Sequence, residues 1–155
     1  MLEVVTAQVP GQCQIIFNIS NAVGVGSPND RIDVELVQLG YFCSALNPAN
    51  TASPDVKAIW RLVKPGAGYS GLPTDPLSKA IEEHERSKGI KVDGHISRMH
   101  GGLRYNGGPR GSEPFLLVAL CNNIFDVMAD VYPRIDLDKR CPGNLAVHIK
   151  KLLRN

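Results

Sequence analysis

The chain has 155 residues, a formal net charge of +2, 43% hydrophobic residues and 21% charged residues, the size and make-up of one globular domain. So small a charge, with no basic stripe and only 6% aromatics, argues against nucleic acid as a partner: neither the cation density that phosphates demand nor a base-stacking surface is present. No run approaches the roughly 20 apolar residues of a membrane span, so no membrane insertion is expected.

The first segment, MLEVVTAQVPGQ, lacks the charged start and long apolar stretch of a secretory signal. The expectation is cytoplasmic synthesis without a cleaved signal, with any action at the periplasm or cell wall depending on delivery by lysis or injection. Residues 2–20 hold two Val- and Ile-rich runs separated by Pro10-Gly11, which predicts an N-terminal β-hairpin over 1–20. NAVGVGSPND follows as a glycine-rich loop; its GxG lacks the third glycine and the strand-to-helix context of a dinucleotide site. A first helix is predicted from there, capped by Ser27 with Pro28 in its first turn, placing Val34, Val37 and Tyr41 on one face.

Residues 44–54 are expected as a loop, and SPDVKAIWRLVKPG as a short helix capped by Ser53, started by Pro54 and stopped by Pro65-Gly66. Its apolar face is Val56, Ile59, Leu62 and Val63, with Trp60 off that face and partly buried against the neighbouring loop. A third helix is capped by Asp75, begun by Pro76 and ended by Gly89, with Leu77, Ala80, Ile81 and His84 on one side. Glu82, Glu83, Glu85 and Arg86 are assigned to its solvated side, with Glu82 and Arg86 as an i,i+4 pair. A long glycine-rich loop, mobile by composition, is expected over 99–114. The most apolar segment, 115–132, is expected as the central buried helix, and PGNLAVHIKKLLRN as a closing helix. Cys13, Cys43, Cys121 and Cys141 are widely spaced without a CxxC pair. Buried thiols are the favoured reading; two disulfides would allow three pairings that spacing cannot separate. The fold class that results is a mostly helical α+β single domain over 1–155: the hairpin, then about five helices packed around 115–132.

Two motifs carry a resemblance. Gly26, Asn29, Asp33, Val34, Val37 and Gln38 form a G-x-x-N loop leading into a D-V-x-x-V-Q helix. Ala80, Ile81, Gly89, Asp93, Gly94 and Ile96 form an A-I helix, a terminating glycine and a D-G-x-I turn. Over residues 22–98 this resembles the peptidoglycan-binding-like helical domains of phage lysis, cell-wall hydrolase and type VI secretion-associated proteins. The pattern departs from that family where its Phe-Gln would fall, here His84-Glu85, and in the extra helix between the two motifs. The resemblance implies a non-catalytic cell-wall binding module with no cofactor, whose partner is peptidoglycan or another cell-wall glycopeptide. Such a ligand is polar and carries carboxylates, which suits loop residues that donate hydrogen bonds. The candidate contacts are Asn29, Arg31, Tyr69, Arg98, Arg104, Tyr105 and Arg110.

Two alternatives remain from the residues themselves. A small cell-wall amidase would use zinc on His84, His95 and His100, or a Cys141 thiol activated at the start of the closing helix together with His84. No HExxH motif supports the first, and an i,i+5 spacing across a glycine turn gives His95 and His100 no common face. The other alternative is an accessory or inhibitor module of a secretion or injection apparatus, docking a protein partner through the hairpin edge or the glycine loop.

Overall fold

The computed structural model describes residues 1–7, 15–100 and 115–154, together with the backbone of 104–105. The protein is a mostly helical α+β fold. In chain order it has β1 (Glu3–Ala7), β2 (Ile15–Asn18), β3 (Val23–Gly24), α1 (Arg31–Leu46), α2 (Pro54–Trp60) and α3 (Pro76–Ser87). Then follow β4 (His95–Ile96), β5 (Arg104–Tyr105), α4 (Leu116–Val127), a 3₁₀ turn over Ile135–Leu137, and α5 (Gly143–Leu152). β1 and β2 form the expected antiparallel hairpin, with Val4 opposite Phe17 and Val5 opposite Ile16. Two pairings were not legible in the sequence: β5 adds to β1 in parallel, inside the expected glycine loop, and β3 pairs with β4. Apart from Met99 and His100, the rest of that loop lies outside the described residues, as does Cys13.

The apolar 115–132 segment becomes α4, which ends at Val127 and packs along α1. Their approach is close because α1 carries Gly40 at the contact: a Cβ there would stand 2.8 Å from Leu120 Cβ. α1 is enclosed on nearly every side, so its amphipathic pattern is weak and its polar residues are buried too. Ser44 Oγ donates to Gly40 O within the helix, and the other three have partners on different neighbours. Asp33 accepts from Ser20 N and Oγ and from Asn21 N, tying in the β2–β3 link. Gln38 Nε2 donates to Ala67 O at 2.9 Å and Gln38 Oε1 accepts from Gly66 N at 3.0 Å. Glu35 accepts from Leu145 N at 3.1 Å and from Asn144 Nδ2 at 3.3 Å, so a carboxylate from α1 caps the N-terminus of α5. Buried polar groups are tolerated because all of them are hydrogen-bonded. Replacing the Glu35 carboxylate removes this cap: Glu35→Ala is expected to cost about 1–2 kcal/mol, measured by urea denaturation.

The start of α1 differs from expectation. Ser27 and Pro28 do not open the helix; Asp30 is its N-cap and Arg31 its first residue. Asn29 is the reason. Its φ is +55°, outside the helical region. Its side chain wraps Gly24, accepting from Gly24 N at 2.8 Å and donating to Gly24 O at 2.8 Å and Ser27 O at 3.0 Å. The caps of α2 and α3 are as read from the sequence: Ser53 Oγ accepts from Val56 N and Asp75 Oδ1 from Leu77 N. Leu62, expected to face inward beyond α2, is exposed, while Val63 is buried. Arg86 pairs with Glu83, three residues before it.

Candidate functional site

Among the described residues one concavity is a cleft of about 660 Å³. Four elements frame it: the C-terminal end of α1, α2 with the loop leading to it, the C-terminal end of α3, and one face of α4. Its lining is mostly amide and hydroxyl. Asn47 and Asn50 follow α1, Asn122 and Asn123 face them from α4, and Ser44, Ser53 and Ser87 add hydroxyls. Ala49, Ala52, Val56 and Ala119 supply apolar wall. Apart from His84, its ionisable lining among the described residues is Lys88 and Asp126.

An aromatic cage supports one end. Tyr41 Oη and His84 Nδ1 share a hydrogen bond at 2.9 Å, and their rings meet edge to face at 5.5 Å. Trp60 stands edge to face with His84 at 5.6 Å and donates its Nε1–H to Ala80 O. Burial, reinforced by the Glu85 carboxylate, pushes the Tyr41 hydroxyl well above its usual pKa, so it stays neutral. Trp60, expected to be partly buried, is only 3% exposed and lies within the core. It is therefore a support for the cleft rather than a ligand platform.

Opposite the cage, the asparagines form a chain of hydrogen bonds. Asn47 Nδ2 donates to Asn123 Oδ1 at 3.0 Å and to Asp126 Oδ2 at 2.8 Å, and Asn47 Oδ1 accepts from Ala49 N. Asn50 Nδ2 donates to Asn123 Oδ1 at 3.1 Å, Asn50 Oδ1 accepts from Ala52 N, and Asn123 Nδ2 donates to Ala119 O at 2.8 Å. These residues were missed in the sequence. The available signal was Asn122-Asn123, two adjacent amides in the most apolar segment of the chain.

Four of the residues expected to contact ligand lie elsewhere. Asn29 is committed to Gly24. Arg31 pairs with Glu35 at 3.1 Å, and Tyr69 shares a 2.6 Å hydrogen bond with Ser78 Oγ. Arg98 pairs with Glu3 and donates to Met99 O. None of these four lines the cleft. Arg104 and Tyr105 supply the backbone of β5, and Arg110 lies outside the described residues.

The catalytic alternatives do not assemble. Among the described residues no three His, Cys, Asp or Glu side chains come together as a metal site. His84 is in the aromatic cage, His95 sits on β4 beside Asp93 at 3.5 Å, and His100 packs edge to face on Phe115 at 5.5 Å. Cys141 does precede α5, yet its thiol is not activated. Burial and the nearby Asp136, Glu35 and Asp138 carboxylates push it up to about 12, the opposite of the expected shift. Cys43, Cys121 and Cys141 are buried thiols in no disulfide, and Cys121 Sγ donates to Phe17 O at 3.6 Å. Glu85, assigned to the solvated side of α3, is 1% exposed. Its carboxyl oxygens accept from Gly94 N at 2.9 Å and Asp93 N at 3.2 Å, which makes it a staple for the D-G turn. No family model, no curated protein and no solved structure matches this chain.

Proposed function

We propose that the chain is a non-catalytic binding module for cell-wall peptidoglycan and that the asparagine-lined cleft is where the glycan sits. The observation that carries this reading is the cleft itself. Its volume, about 660 Å³, lies within the usual range for small-ligand sites. Its polar groups are neutral amides and hydroxyls interleaved with small apolar side chains. Sugars present the same alternation, with hydroxyl and acyl oxygens around an apolar ring face. The motif resemblance over 22–98 supplies the cell wall as the source of that sugar. The motif residues serve the fold, through Asp33, Gln38, the Gly24–Asn29 clamp and the Glu85 staple. Ligand recognition therefore falls to residues outside the motifs.

The reading is tested by sedimentation with purified sacculi. The protein is expected in the pellet at low salt, with no loss of turbidity in the suspension with or without added zinc. Failure to co-pellet at low salt sinks the binding reading; loss of turbidity sinks the non-catalytic one.

A further inference from the structure

We infer that Asn50 and Asn123 form a subsite for the acyl carbonyl of an N-acetylated amino sugar, an inference that rests on the glycan reading. The orientation of each amide is fixed by backbone partners. Asn50 Oδ1 faces Ala52 N–H, so Oδ1 is the acceptor and Nδ2 the donor; Asn123 Nδ2 faces the Ala119 carbonyl, which only an N–H satisfies. Asn123 Oδ1 already receives two N–H groups, from Asn47 and Asn50. Asn47 spends both of its own N–H groups on Asn123 and Asp126. Each carboxamide nitrogen carries two hydrogens, and Asn50 and Asn123 each use one within the protein. One N–H on each is left at the cleft, while the Asn123 oxygen already holds its two donors.

These two N–H groups suit an acceptor on the ligand. Ala52, Val56 and Ala119 lie next to these donors in the lining, an apolar wall suited to the methyl of an acyl group. Lys88 and Asp126 balance in charge, so the cleft as a whole favours a neutral group over a carboxylate. A carbonyl oxygen attached to a methyl, on a neutral sugar, meets all three conditions. A sugar hydroxyl accepts and is neutral but brings no methyl to the wall.

The test uses the full chain and two soluble probes of equal length, an oligomer of N-acetylglucosamine and an oligomer of glucose, titrated by calorimetry or by NMR shift perturbation. The N-acetylated oligomer is expected to bind at least about tenfold more tightly, the scale of one or two hydrogen bonds gained. Asn50→Ala, which leaves the Asn47–Asn123–Asp126 contacts in place, is expected to shrink that preference severalfold. Asn123→Ala is expected to abolish it, with thermal melting reporting whether the variant is folded. A general structural disturbance would weaken both oligomers alike and leave the preference standing. Equal affinity for the two oligomers, or a preference unchanged in Asn50→Ala, overturns the subsite. If sacculi pellet the protein while the oligomer preference is absent, the subsite is wrong and the cell-wall reading stands. If neither sacculi nor oligomers bind, both fall. Preference for the N-acetylated oligomer without binding to sacculi keeps the subsite and removes peptidoglycan as its source.

Discussion

Gly24→Ala is expected to destabilise the protein by about 3 kcal/mol or more, the cost of a strained backbone added to an unrelieved clash. Gly24 has φ +144°, a region that L side chains rarely adopt. A Cβ there would lie 2.2 Å from the Gly94 carbonyl oxygen and 2.6 Å from His95 Cα. Both obstacles are backbone, so no side-chain rotation relieves them. Nor can Gly24 itself turn away, because Asn29 holds its N–H and its carbonyl at 2.8 Å each. The β3–β4 pair, which joins the entry of α1 to the exit of α3, would have to open. Gly26→Ala is the control. Gly26 has φ +74° but nothing within 4 Å of its missing Cβ, so it carries the conformational cost alone, about 1 kcal/mol. Urea denaturation of both variants checks the difference. A Gly24→Ala midpoint no lower than that of Gly26→Ala would show that the β3–β4 contact yields easily.

These glycines and their partners mark the boundary of what the residues announce locally. Caps at Ser53 and Asp75 were legible because the capping side chain and its target N–H are two or three residues apart. The apolar runs of the hairpin and of α4 were legible because burial sets their period. The α1 start was misread because Asn29 answers to Gly24, a contact of tertiary shape that the S-P pair conceals. Glu85 was misread for a different reason. It stands four residues after Ile81 and seven after Ser78, both buried, so helical spacing placed it inward, while residue type argued for solvent. The partners that make its burial possible are backbone amides at 93 and 94, and backbone donors leave no mark in a sequence. The cleft was hidden for the same reason. Its asparagines come from a loop and a helix more than 70 residues apart, and their side-chain bonds exist only once α1 and α4 are packed.

The misplaced glutamate also sets the second large expectation: stability falls as pH rises from about 4.5 to about 7, and Glu85→Gln removes that slope. Burial, followed by the hydrogen bond shared with the Asp93 side chain, raises the Glu85 pKa from 4.5 to about 7; the Gly94 and Asp93 N–H groups pull the other way without cancelling it. In this interval the folded protein holds a proton on Glu85 that the unfolded chain has released. The group's contribution is thus fully present below pH 4.5 and is lost as pH passes through about 7. The full shift corresponds to about 3 kcal/mol, and division of the proton with Asp93 brings the expected loss to about 2–3 kcal/mol. Asp93 itself responds in a separate window. Burial acts to raise its pKa, but hydrogen bonds from Glu85 and His95 N–H and the charges of His95 and Lys91 outweigh it and lower the pKa below 3.8. Its contribution is therefore lost only at more acidic pH. His148 opposes the Glu85 slope, because burial and the N-terminal amine lower its pKa from 6.5 and favour the neutral folded form as pH rises. Subtracting the Glu85→Gln curve from the wild-type curve removes that component. Urea denaturation of both proteins at pH 5 and pH 8 gives the comparison. The wild type is expected to lose about 2–3 kcal/mol relative to the variant between the two conditions. A difference that stays flat, or that grows in favour of the wild type at pH 8, would mean that Glu85 is held as a carboxylate by the D-G turn amides and that the turn, not the buried proton, fixes its state.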